Sequence, residues 1–161
     1  MKNLSFKHSE SGRTMLEMLG VLGIMGIIMY GAIAGINYGM STYKINQTYN
    51  EIQEAIQGIQ DLYSWSRSYD GLNISQVCEN DIYTCISNTI SNSFGGGISI
   101  EPINDNDSFK ITYDAVDQAS CNRLKEMEWG TIVMDSDNSC TSEPGQAIFC
   151  PKLRSDQHTC G

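Results

Sequence analysis

Histidine is almost missing: His8 and His158 are the two imidazoles in 161 residues. Neither has a Ser or Cys nucleophile motif around it, so nucleophilic and general-base chemistry of the usual kind has no visible machinery, and His158 reads as a surface residue. Basic residues are also scarce, ten Lys and Arg against nineteen Asp and Glu, for a formal charge of −9. Phosphate contacts need clustered Lys and Arg, so no nucleic-acid partner is expected. The six cysteines contain no C-x-x-C pair and fall at irregular spacings, which argues against zinc. The pattern therefore implies no enzyme, no metal and no cofactor.

Charge is absent altogether from Met18 to Tyr43. As a helix, the core of this run, Met18 to Ile36, is long enough to cross about 30 Å of hydrocarbon. One carboxylate, Glu17, stands at its front edge. Left unpaired, such a group costs roughly 2.5–3.5 kcal/mol at a helix centre and less toward the end, so a partner is expected. Cleavage after Gly12 would create a cationic amino group at Arg13, four residues before Glu17. Glu17 of one copy could then neutralise the amino terminus of a neighbouring copy within a bundle of spans. Glycines recur at 20, 23, 26, 31, 35 and 39. Gly31, Gly35 and Gly39 make small-xxx-small steps that would let identical helices approach closely, although glycine is frequent in membrane spans generally.

Seventeen of the nineteen acidic residues lie from Lys44 onward, whereas Lys2, Lys7 and Arg13 precede the span with Glu10. The positive-inside rule puts the amino terminus in the cytoplasm and the acidic region outside. That exterior region holds all six cysteines among many Asn, Ser, Asp and Gly residues, which indicates disulfides formed in an oxidising compartment. Six cysteines allow fifteen pairings. An ordinary secretory signal cleaved after Ala32-Ile-Ala34 competes with the span, but Glu17 interrupts its apolar region and the helical pattern runs on past Ala34.

Beyond Ser41, Ile45, Tyr49, Ile52, Ile56, Ile59 and Tyr63 recur at steps of four and three, with polar residues between them, so the helix continues and becomes amphipathic. Its stripe is expected to cover a sheet, and Asp70-Gly71 to end it. Leu72 to Ser93 reads as irregular, with Cys78 and Cys85 closing a small loop if they pair. Strands are expected from Ile98 to Ile103, with Pro102 disturbing the end, from Phe109 to Tyr113 and from Thr131 to Met134. A short helix capped by Asp114 or Asp117 runs through Cys121, Leu124 and Met127 to Gly130. Asp135-Ser-Asp-Asn-Ser139 carries carboxylates at positions one and three of a calcium loop but lacks the glycine at six and the glutamate at twelve, so it reads as a solvated polar hairpin. The tail from Cys140 to Gly161 shows little periodicity and is expected to be held by disulfides. The fold class is α+β: a long N-terminal helix, membrane-spanning then amphipathic, packed on a small antiparallel sheet with a disulfide-tied C-terminal region. The divisions are a leader 1–12, helix halves 13–40 and 41–69, a loop 70–97, the sheet with its Cys-bearing helix 98–134, and the C-terminal region 135–161.

Gly12 followed by Arg-Thr-Met-Leu-Glu17 and an apolar helix resembles the class III signal of type IV pilins and pseudopilins, which a prepilin peptidase cuts after the glycine and methylates. Arg13 stands where pilins usually begin with an apolar residue. Asn92-Ser-Phe-Gly-Gly96 before a strand resembles the Asn-x-Phe-Gly-Gly element of type IVb pilins. Phe109-Lys-Ile-Thr-Tyr113, Ala119-Ser-Cys121 and Trp129-Gly130 are similar to that subgroup's strand and Cys-bearing helix, and Pro144-Gly-Gln-Ala147 before Cys150 to its second cysteine segment. The resemblance implies a Cys121–Cys150 disulfide, which leaves Cys78 with Cys85 and Cys140 with Cys160. It also implies a subunit that is processed at Gly12 and Arg13, held in the bacterial inner membrane with its C-terminal domain outside, and passed by an inner-membrane assembly machinery into an extracellular filament of identical or related pilins serving adhesion or aggregation. The alternatives are a pseudopilin of a type II-like secretion system, a minor pilin, a secreted disulfide-rich binding module beginning at Gly35, and a plain membrane-anchored monomer.

Overall fold

The computed structural model describes residues 15–66, 68–141, 145–153, 157 and 159–160. Gly12, Arg13, Pro144 and both histidines lie outside the described residues. The chain divides into two compact units, one ending at Met40 and the other beginning at Ser41. Helix α1, Met15–Leu62, runs through the division.

In the first unit, every described side chain from Met15 to Met40 is exposed. Among the described residues, α1 is the one helix long and apolar enough to cross a membrane. The second unit carries the rest of α1, then α2 (Ile74–Glu79), β1 (Ile98–Ile103), β2 (Ser108–Val116), α3 (Gln118–Lys125), β3 (Ile132–Met134) and β4 (Gly145–Pro151). The strands form one antiparallel sheet in the order β1-β2-β4-β3. Pro102 lies in β1, which is an edge strand, so its missing N–H leaves no ladder bond unmade inside the sheet.

One face of the sheet buries Ile98, Ile100, Phe109, Ile111, Tyr113, Ala147 and Phe149 with Ile45, Ile52, Ile56 and Ile59 of α1. The stripe read from the sequence is therefore the packing face. Thr48 and Ala55 are buried there as well, while Tyr49 and Tyr63 lie at its margin. Helix α3 starts from Asp117, whose carboxylate accepts from the Ser120 N–H at 2.9 Å. It lies against α1, with the Arg123 guanidinium donating to Thr42 Oγ1 at 3.3 Å. The opposite face of the sheet holds a smaller cluster of Val133, Cys150 and Cys160, flanked by Ile103 and Ile148.

The helix ends at Leu62, seven residues before the expected position, because turn hydrogen bonds from Ser64 to Asp61 and from Ser66 to Tyr63 replace the helical ladder. The span read as irregular contains α2, capped by Asn73, whose side chain accepts from the Gln76 N–H at 3.1 Å. The tail read as lacking periodicity supplies β4, which is a central strand.

The disulfides join Cys78 to Cys85, Cys121 to Cys140 and Cys150 to Cys160. The first agrees with expectation, and the Cys121–Cys150 and Cys140–Cys160 pairs are corrected. Cys121 is buried in the core under α1, whereas Cys150 belongs to the cluster on the other face. The Cys121 sulfur also lies 3.8 Å from the carbonyl of Gln146. Cys150 is four residues further along β4, roughly 13 Å at strand rise, well beyond the ~7 Å Cα separation a disulfide tolerates. Cys140 donates its N–H to that same Gln146 carbonyl, which brings it to Cys121 with Cα atoms 5.8 Å apart.

Candidate assembly surface

Glu17 lies in the first turn of α1, where the N-terminal helix dipole favours a carboxylate. It is the one charged residue on an otherwise apolar segment, and the large side chains around it, Met15, Leu16, Met18 and Leu19, are all exposed. Gly31, Gly35 and Gly39 share one helix face by their spacing. A Cβ built at any of the three meets nothing within 4 Å. Among the described residues no contact therefore requires glycine there. Gly58 is different: a Cβ there would press on Ile82 at 3.3 Å, so this glycine lets the loop after α2 lie on the helix.

In the second unit, the segment Asn92 to Gly97 fastens that loop to the sheet. Asn92 is buried and uses both ends of its amide. Its Nδ2 donates to the carbonyls of Gly97 at 3.0 Å and Asp114 at 2.7 Å, and its Oδ1 accepts from the N–H groups of Phe94 at 2.9 Å and Gly96 at 3.0 Å. Opposite it, β2 is irregular between Tyr113 and Val116, with Ala115 at φ 58°. Gly96 abuts this bulge. The amide in the sequence pattern is thus a structural clasp, a role that its position before a glycine run did not by itself reveal.

The loop between β3 and β4 turns on Asp135, which is buried rather than solvated as the sequence suggested. Its carboxylate accepts from the N–H groups of Asp137 at 3.0 Å, Asn138 at 2.9 Å and Cys160 at 3.1 Å, and from Asn138 Nδ2 at 3.1 Å. Among the described residues no group of three or more potential ligands could hold a metal, so the carboxylate organises backbone. Burial pushes the Asp135 carboxyl up, but the hydrogen bonds from Asn138, Cys160 and Asp137 outweigh it and leave the pKa below the ordinary value. A depressed folded pKa contributes stability above the unfolded value near 3.9, and that contribution is lost as pH falls through the folded value. Asp135→Asn is accordingly expected to flatten the acid limb of a stability–pH curve below about pH 4 and to cost about 1–3 kcal/mol at neutral pH, measured by denaturant unfolding of the detergent-solubilised chain.

Near α1, the hydroxyls of Tyr83 and Tyr113 lie 2.9 Å apart. Burial drives both phenols well above their ordinary pKa, so the pair stays neutral. On the β3 side of the sheet there is an open groove of about 330 Å³, lined by Trp129, Ile132, Met134, Lys125, Lys152 and Gln157 among others. Trp129 is fixed by donating its indole N–H to the Leu124 carbonyl at 2.8 Å and by ring contacts with Tyr49 and Phe149. Trp65, which stands outside the helical stripe, is 99% exposed in the turn after α1.

The PilS N-terminal family matches residues 42–143, the greater part of the second unit. The chain is 28% identical over 151 residues to the major structural subunit of bundle-forming pilus from Escherichia coli O111:H-, covering 84% of this chain and 77% of that relative. It is 27% identical, with the same coverage, to the protein of that name from Escherichia coli O127:H6 (strain E2348/69 / EPEC). The family match covers more than half of the chain, which therefore belongs to the PilS N-terminal family, within the type IVb pilins.

Proposed function

We propose that this pilin is a structural subunit of a type IV pilus, cleaved after Gly12 by a prepilin peptidase and polymerised through the first half of α1. The observation that carries the reading is the segment from Met15 to Met40, apolar and wholly exposed in a single chain. So large an apolar surface needs either lipid or other copies around it, and a pilin meets the two in turn. In the inner membrane the segment would span the bilayer with the head outside. The assembly machinery would then draw it into a fibre, where identical helices take the place of lipid. Gly31, Gly35 and Gly39 would give the close approach, and Glu17 would neutralise the Arg13 amino group of a neighbour. The role named for the Escherichia coli relatives supports a structural rather than catalytic part for this chain.

The mature amino terminus tests the reading. Mass spectrometry of the protein from its native envelope is expected to find Arg13, bare or methylated, as the first residue. A chain beginning at Gly35 would instead mean a secreted module, and an intact Met1 a plain anchor.

A further inference from the structure

Among the described residues nothing covers Trp65. An indole offers about 150–250 Å² of surface to bury, and this one is 99% exposed. Close to it in sequence, Tyr63 and Tyr69 form an aromatic platform with Phe109. Tyr63 meets Tyr69 in a tilted ring contact at 5.3 Å, Tyr69 meets Phe109 edge-on at 4.9 Å, and the Tyr69 N–H donates to the Asn106 carbonyl at 2.8 Å. The platform is thus attached to the β1–β2 turn, with the exposed carboxylates Asp61 and Asp70 close to Trp65 in sequence.

The β3 groove has complementary chemistry. It is lined by Trp129, Ile132 and Met134 together with Lys125, whose ammonium donates to the Ser136 carbonyl at 3.0 Å, and Lys152, in a head where acidic residues predominate. About 330 Å³ is roughly ten water volumes, enough for one indole side chain. Lysines in the lining favour an aromatic face through cation–π attraction and also suit nearby carboxylates. In the order β1-β2-β4-β3 the groove belongs to one edge of the sheet and the Trp65 platform to the β1–β2 end. Complementary patches at different places on one chain make a head-to-tail contact, which propagates instead of closing into a dimer.

We propose that Trp65 of one copy seats in the groove lined by Lys125 and Lys152 of a neighbouring copy in the fibre. The inference rests on the filament reading above. Aromatic anchors in a pocket dominate binding at interfaces, so this contact would set how firmly adjacent heads hold each other.

The test compares wild-type filaments with detergent-dispersed subunits by chemical footprinting. On assembly, oxidation of Trp65 and acylation of Lys125 and Lys152 are expected to fall together, each by about tenfold, as for a desolvated anchor. In filaments carrying benzoylphenylalanine at position 65, irradiation should join that residue to the 125–157 region of another copy. Trp65 as reactive in the filament as in the dispersed subunit overturns the docking, and so does a cross-link to a different region or to another fibre. Absence of filaments from the wild-type chain is a separate result, since it overturns the assembly reading itself and the docking with it.

Discussion

Glu17→Ala is expected to leave a processed, membrane-held subunit at normal level and to reduce filament yield by about 100-fold, measured as pilin in sheared fibres relative to pilin in the envelope. The magnitude follows from the solvent around the residue. Glu17 lies in the first turn of an apolar helix whose neighbouring side chains are all exposed in the single chain. In a bundle of such helices the charges it could pair with are those of other copies, and the proposed one is the amino group at Arg13. Removing the carboxylate leaves that ammonium unpaired among apolar helices, at roughly 2.5–3.5 kcal/mol per subunit added, or about two powers of ten in the association constant. The head should be unaffected, because its core begins at Ile45. Glu17→Gln, which keeps a hydrogen-bond acceptor but not the charge, is expected to fall between. Filaments of normal yield from Glu17→Ala would remove the pairing from consideration.

The largest effect on the head is expected at Gly96. A Cβ there would collide with the backbone carbonyl of Asp114 and come within 2.8 Å of Ala115 Cβ. Backbone on the far side cannot swing away as a long side chain can. The substitution therefore opens the Asn92 clasp, and Gly96→Ala should cost about 3 kcal/mol or more. For a unit of this size that lowers the melting temperature by roughly 10 °C or more. The flanking glycines supply the controls. Gly95 has φ 92°, so alanine there should cost about 1–2 kcal/mol in backbone strain. Gly97 meets nothing nearer than 3.8 Å, so Gly97→Ala should stay within about 1 kcal/mol. Thermal melts of the detergent-solubilised full chain, followed by near-UV circular dichroism, would give the ranking. Equal losses at all three positions would mean that the run is glycine for flexibility rather than for fit.

Elements that announce themselves by periodicity were legible in the sequence. The α1 stripe from Ile45 to Ile59, β1, β2, the Asp117-capped α3 and β3 all stand close to where pattern and turn chemistry put them. What escaped did so for physical reasons. β4 is buried at successive positions from Phe149 to Pro151, and with the exposed Gln146 as its one strongly polar side chain it offers too little apolar–polar alternation to mark a strand. Helix α2 has six residues, too few to show a period, though its Asn73 cap was in plain view. The disulfides depended on which side of the sheet each cysteine reaches, which for Cys150 is a matter of the register of β4 with β2 and β3 that no local pattern encodes. At the candidate surface, Glu17 and the three glycines could be singled out because they interrupt an apolar run. Trp65 and the lysine-lined groove could not, since exposure and concavity arise only once distant segments are folded together.

The place of β4 also constrains the order of events during export. β2 bonds to β4 and β4 to β3, so the middle of the sheet is occupied by the last of the described strands in chain order. Until that strand arrives, β2 has an open flank and β3 has nothing to pair with. Completion of the head is therefore late, and an unfilled β-edge is a template for aggregation while it waits. The cysteine bridges suit such a sequence, because they join consecutive cysteines, 78 to 85, 121 to 140 and 150 to 160, without any one enclosing another. Each can be oxidised as its own stretch emerges, before a later cysteine is present to compete for it.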